Sequence, residues 1–260
     1  MNILNLCVVA SVKTIKYKNR LASFINAYGI KNINFKNNVK ISFLVEDEPR
    51  PDFVNESFGW HNYPNVPISL RFIYYLLNHW GESVWTMQVD DDSSTDIDKT
   101  IELLNQFYDS DDSMILMGGR NTDLEYGLQH LVREMNEPNI LFDNPNICMF
   151  RDVPYFVHAW EPSILSQKAV NKIKNYSKLN LFLELALKYR PVFTDQSIYL
   201  LSKLAKVPIV EAMFLCPYDR PAEYSAINPQ GRYSHIHYVK EEIANYNYIV
   251  EAMSRYQVKL

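Results

Sequence analysis

Residues 85–100 read WTMQVDDDSSTDIDKT, an apolar run from Trp85 to Val89 that passes without a break into Asp90, Asp91 and Asp92. Neighbouring carboxylates repel by about 1 kcal/mol per close pair in water, and by several-fold more beside a low-dielectric wall. A chain that sets three of them directly after a buried strand needs positive charge at that point. The question the stretch raises is what supplies it.

Working outward, the flanking pattern alternates strands with helices. Asn2 to Ser11 reads as a buried strand. Leu21, Phe24, Ile25 and Tyr28 then recur at helical spacing, with Gly29 as a natural stop. Val39, Ile41, Phe43 and Val45 alternate as a second strand, and this one also ends in acids, Glu46, Asp47 and Glu48. Leu70, Ile73, Tyr74 and Leu77 form the next helical face, before the strand Ser83 to Val89. Thr95 with Asp98 resembles a capping pair for a helix over 96–108, and Ser113 to Met117 is another short strand. This order predicts an α/β fold, a mostly parallel central sheet with helices on both faces. Ligands of such sheets bind at the carboxyl ends of the strands, where both acidic clusters fall.

The second half is less regular. Residues 119–155 scatter Asn, Pro and Asp among apolar residues and suggest long functional loops. Helices are expected near 167–175, 179–189 and 196–206, then a strand over Val207 to Leu215 and a last helix over 241–255. With no repeat and no low-complexity linker, residues 1–260 are read as one unit. It divides, where the regular alternation of strands and helices ends, into 1–118 and 119–260.

Composition narrows the classes. The chain has 260 residues, 47% of them hydrophobic, which is ample for a core. A net charge of −4 argues against nucleic acid as the main partner. The three cysteines, Cys7, Cys148 and Cys216, are widely spaced, which fits a reducing compartment and no structural zinc. The opening MNILNLCVVASVK has no positive charge before its short apolar run, so it reads as a strand rather than a signal peptide. No apolar run approaches the ~18 residues of a membrane span. A cytoplasmic protein is expected.

Three chemistries compete for the aspartates. A solvated turn with acids at a helix start is the plain one. A calcium loop starting at Asp91 would put Glu102 twelfth, but Asp96 replaces the required glycine and a strand precedes it. A Mg²⁺ or Mn²⁺ site for a nucleotide diphosphate explains both the run and its place. Hard cations take one or two carboxylates plus phosphate oxygens, and Asp90 and Asp92, two apart, can converge while Asp91 turns away.

SVWTMQVDDDSSTDIDKTIELLNQF (83–107) resembles the aspartate motif of inverting glycosyltransferases with the GT-A fold, nearest the fringe and core-1 β1,3-galactosyltransferase group. The resemblance implies that Asp90, Asp91 and Asp92 hold the metal and a UDP-sugar. PVFTDQSIYLLSKLAKVPIV (191–210) is similar to that group's acidic residue, helix, VP and strand, and the match puts the catalytic base on Asp195. A carboxylate there would take the acceptor hydroxyl's proton. Its plainer role is a helix cap beside Thr194. SHIHYV (234–239) resembles the group's terminal HYV, which makes His237 a third metal ligand and His235 its neighbour near phosphate. The resemblance spans roughly residues 40–240.

Further candidates surround these. Glu46 and Asp47 sit where such folds place an acid for a nucleoside, or on an exposed turn. Arg71 opens the helix before the aspartate strand and would meet the diphosphate or an aspartate, or only solvent. Trp160 and Glu161, in YFVHAWEPSILSQKAV, lie where the group has an acceptor-side loop leading to a Ser and a helix; a core Trp is the alternative. The group's glycine-rich acceptor turn is missing, since VHAWEPS has no Gly and the whole chain has seven. A DQ pair also occurs in some retaining galactosyltransferases, where the Gln lies beneath the sugar, so Gln196 leaves the stereochemistry open. The partners implied are a nucleotide sugar and a saccharide acceptor, with attachment to the inner face of a membrane through a lipid-linked acceptor also open. The rivals are a binding module without catalysis and a nucleotidyltransferase, which lacks its Gly-rich, Lys-bearing loop here.

Overall fold

β1 (Asn2–Val9) owes its place at the middle of the sheet to alternation in which both sets of residues are apolar. Leu4, Leu6 and Val8 enter one core, and Cys7 and Val9 enter another on the opposite face. A computed structural model describes residues 2–27, 38–54, 56–79, 81–95, 97–120, 126–137, 159–190, 194–212, 215–216 and 235–236. The expected helix over 241–255 and the stop at Gly29 lie outside the described residues.

After β1 come α1 (Ile15–Ala27), β2 (Val39–Val45), β3 (Gly59–Asn62), α2 (Ile68–Asn78) and β4 (Ser83–Asp90). β5 (Ser94–Thr95), α3 (Ile97–Phe107), β6 (Ile115–Arg120), α4 (Tyr126–Glu134) and β7 (Ala159–Ser166) follow. The chain continues through α5 (Gln167–Lys174), α6 (Leu179–Tyr189), α7 (Thr194–Leu204), β8 (Ile209–Glu211), β9 (Leu215–Cys216) and β10 (His235–Ile236). The main sheet has the order β3-β2-β1-β4-β7-β6-β8. Its strands are parallel except β7, which runs antiparallel to both β4 and β6. Leu21 and Phe24 of α1 and Leu104 of α3 cover one face, while Leu70 and Ile73 of α2, Ile173 of α5 and Leu201 of α7 cover the other.

This confirms the mostly parallel α/β sheet with helices on both faces. Two strands depart from the expected order. β3 is a short edge strand, and β7 stands where a loop was expected, inserting between β4 and β6. Pro162, which speaks against a strand, lies in β7, and the pairing recorded for β7 with β4 begins just after it, at Ser163. The expected strand over Val207 to Leu215 divides into β8 and β9. Among the described residues no helix is long and apolar enough to cross a membrane.

A buried polar knot fastens α2 to the sheet. The Asn5 side-chain amide donates to the Tyr75 hydroxyl at 2.5 Å, and the Ser42 hydroxyl donates to Asn5 Oδ1 at 3.2 Å. The His61 ring, on β3, meets Tyr75 and His79 edge-on at 4.9 and 4.6 Å between centroids. Burial, and then the neighbouring His79, lower the His61 pKa from 6.5 to about 4. The folded state therefore keeps His61 neutral while the unfolded chain takes up a proton, and stability falls as pH drops from 6.5 towards 4. Urea unfolding at pH 7 and at pH 4.5 is expected to show a larger loss for the wild type than for His61→Gln, which has no proton to gain.

Candidate active site

The carboxyl ends of three strands form one edge. Val9 stands opposite Asp90 on one side and Leu44 on the other, so the ends of β1, β2 and β4 are level. The chain winds from β1 through β2 to β3 and then returns to place β4 on the far side of β1. The gap above β1 and β4 is thus the switch point of the sheet, the usual ligand crevice of such folds.

At the end of β4 a tight turn leaves Asp90 half-buried and takes Asp91, Asp92 and Ser93 out of water. The Asp90 carbonyl accepts from the Ser93 amide at 3.2 Å and from the Ser93 hydroxyl at 2.7 Å. Asp91 and Asp92 are 2% and 1% exposed. Their carboxylates share one cation, the guanidinium of Arg20 in α1, which pairs with Asp91 and lies 3.0 Å from Asp92 Oδ2. The positive charge that the sequence demands is present within the chain itself. Alternation would turn Asp91 away from Asp92, but the strand ends at Asp90 and the turn brings the two side chains to one point. Asp90 faces Gln88, whose amide is 3.5 Å from Oδ1. No local signal marks Arg20: it lies 70 residues before Asp90, beside the buried Leu21 on a helix.

Glu46 and Arg71 meet at the same edge. The Glu46 carboxylate accepts from the Ser11 hydroxyl at 2.5 Å and the Val12 amide at 3.3 Å, and Arg71 Nη2 is 3.5 Å from Oε1. Arg71 also donates to the Ala10 carbonyl at 2.8 Å. Burial pushes the Glu46 carboxyl up, but Ser11, Arg71 and the backbone amides outweigh it and hold the pKa below its ordinary 4.5. Burial lowers the pKa of Arg71, while Glu46 beside it opposes that shift. Neither residue is the solvated one that was entertained for it, whereas Asp47 is exposed. Together they clamp residues 10–12, the loop from which α1 leaves to carry Arg20.

The same clamp locates Asp195. Thr194 Oγ1 is 3.4 Å from the carbonyl of Ile68, at the start of α2, one turn before Arg71. α7 therefore begins at the edge where the strands end. Asp195 lies in its first turn, half-buried, with Oδ1 accepting from the Gln196 amide at 3.0 Å. Gln196 is buried, and its Oε1 has no hydrogen-bond partner among the described residues.

β10 pairs antiparallel with β5, His235 opposite Thr95 and Ile236 opposite Ser94. Successive residues of β10 thus step back towards Asp92, although some 140 positions separate the two strands in sequence. His237 lies outside the described residues. Among the described residues no three His, Cys, Asp or Glu side chains gather as a metal site. Two buried carboxylates already sharing one cation do suit a hard divalent ion whose other ligands come from phosphate and water. Trp160 and Glu161 belong to β7, not to a loop. Ser163 stands opposite Gln88, so both lie near the level of Asp90. Ser166 caps α5 through its hydroxyl, which accepts from the Ala169 amide, as the expected Ser and helix.

No family model matches the sequence, and no curated protein matches it. Among solved structures it is similar to the galactosyltransferase LgtC in complex with donor and acceptor sugar analogs, over 97% of this chain and 96% of that one, with a TM-score of 0.51 and 11% identity. An active-site mutant of LgtC, Gln replaced by Glu, gives 0.51 over 98% and 96%, again at 11% identity. Mouse xyloside xylosyltransferase 1 gives 0.46 over 91% and 97%, also at 11%. The fold is that of the GT-A glycosyltransferases. β4 ends in the aspartate run, and α7 opens against the start of α2 at the same edge of the sheet.

The clamp is open to test. Arg71→Leu would leave Glu46 buried beside no guanidinium, and an expected loss of about 3 kcal/mol follows from breaking a buried pair. Adding Glu46→Gln should restore part of it, read by urea unfolding at pH 7. The Glu46 contribution is present above pH 4.5 and lost as pH falls through its lowered folded value. The penalty of Glu46→Gln should therefore shrink on acidification.

Proposed function

We propose that this protein is a metal-dependent glycosyltransferase that moves a sugar from a UDP-sugar to a saccharide hydroxyl. The observation that carries the reading is the buried pair Asp91 and Asp92 at the switch point of a GT-A sheet. Asp92, with Asp90 or Asp91, would hold Mn²⁺ or Mg²⁺, and β10 running back towards Asp92 supports His237 as a further ligand and His235 as its neighbour. The ion would neutralise the diphosphate as a leaving group. Galactose is the first donor to test, given the motif resemblance. The acceptor is read as a growing surface glycan in a bacterium, lipid-linked at the inner face of the membrane, with Trp160 and Glu161 on its side of the site.

Two courses are open to the Asp195–Gln196 pair. The fringe and core-1 resemblance supports inversion, with Asp195 as base. Retention is supported by a specific observation: Gln196 has a buried Oε1 that no described residue engages, and an amide oxygen can face positive charge developing at the anomeric carbon without taking a proton. Retention is the reading we favour. Gln196→Ala would then cut transfer more deeply than Asp195→Asn, and NMR of the product would show the donor's own anomeric configuration. An inverted product would return the central role to Asp195.

A panel of UDP-sugars, assayed for release of UDP with Mn²⁺ and with EDTA, tests the whole reading. One sugar should be hydrolysed with metal only, and Asp92→Ala should reduce the rate by about a hundredfold, the usual loss when a key charge stabiliser is removed. Metal-dependent UDP binding with no turnover of any donor would mark a binding module instead.

A further inference from the structure

Arg20 Nη2 lies 3.0 Å from Asp92 Oδ2, one of the two oxygens that a divalent ion held by Asp92 would use. Its guanidinium stays protonated in proteins, and it faces two carboxylates that are almost entirely out of water. The helix that carries it is anchored by Leu21 and Phe24, both fully buried in the core, so a release of Asp92 would be a movement of the side chain rather than of the helix. We infer that Arg20 is the resident counter-ion of Asp91 and Asp92, and that it must release Asp92 before a divalent cation can bind there. The inference rests on the reading of Asp92 as a metal ligand.

Two consequences follow from charge alone. A competitor within the chain weakens apparent metal affinity by the fraction of time it occupies the site. Once released from Asp92, the guanidinium is a cation beside the crevice that the diphosphate would enter. Diphosphate and metal then assist one another through Arg20, and the coupling is reciprocal. The aspartates are never left buried without positive charge, whether the site is loaded or not.

Titration with Mn²⁺, following the electron paramagnetic resonance signal of the free ion, tests this in wild type, Arg20→Gln and Asp92→Ala, each with and without UDP. Without nucleotide, Arg20→Gln should bind Mn²⁺ about tenfold more tightly than wild type, within the usual range of such couplings. UDP should raise Mn²⁺ affinity less in the variant than in wild type. Equal or weaker binding by Arg20→Gln, with binding abolished in Asp92→Ala, would overturn the role of Arg20 and leave the metal site standing. Absence of Mn²⁺ binding in wild type, with and without UDP, would remove the metal site and the inference together. Should Arg20→Gln fail to fold, wild type alone decides by phenylglyoxal modification of Arg20, read by peptide mass. Mn²⁺ should speed that modification several-fold, and an unchanged rate would overturn the inference.

Discussion

Two carboxylates at the end of β4 are held almost out of water, and a buried like-charged pair persists only beside compensating positive charge. Arg20 provides it. Because that guanidinium comes from α1, the geometry of the pair depends on how α1 leaves β1, and so on the loop at residues 10–12. Glu46 and Arg71 fix that loop, Arg71 sits on α2, and the start of α2 meets Thr194 at the start of α7. One chain of polar contacts therefore links the aspartates to the Asp195–Gln196 pair across the carboxyl edge of the sheet.

The separation of roles between the edges of the sheet has a physical basis. β1, β2 and β4 are buried on both faces, so at the middle of the sheet only the strand ends can present polar groups to a ligand. On the face covered by α2, Asn5, Ser42 and Tyr75 form a closed hydrogen-bonded set that fastens the helix. At the carboxyl edge the deepest acids, Asp91 and Asp92, both pair with the guanidinium of Arg20.

Much of the fold is legible in the sequence because its signals are local. β2 is recovered as Val39–Val45, and α5 and α6 to within a residue, since apolar alternation and helical spacing mark them locally. β3 escapes because GWHN is short, with no residue fully buried and no alternation to detect. β7 escapes because Pro162 interrupts it and its antiparallel course is a property of partners far off in the chain. In the site, the aspartates, Glu46, Arg71, Asp195 and Gln196 are legible as unusual polar residues at element ends. Arg20 is not, because an arginine within an amphipathic helix looks like every solvated arginine until the fold brings it to Asp91 and Asp92. The pairing of β10 with β5 is equally long-range, and only the order of motifs hints at it.

The central claim is that the aspartate pair at the switch point receives a metal and a nucleoside diphosphate. Crystals grown with Mn²⁺ and UDP, with data collected at the manganese absorption edge, test it most directly. The account predicts an anomalous peak in contact with Asp92 and the diphosphate, above the ends of β1 and β4, with Arg20 withdrawn from Asp92. UDP bound elsewhere, or no peak and Arg20 still bridging the two carboxylates, would contradict it.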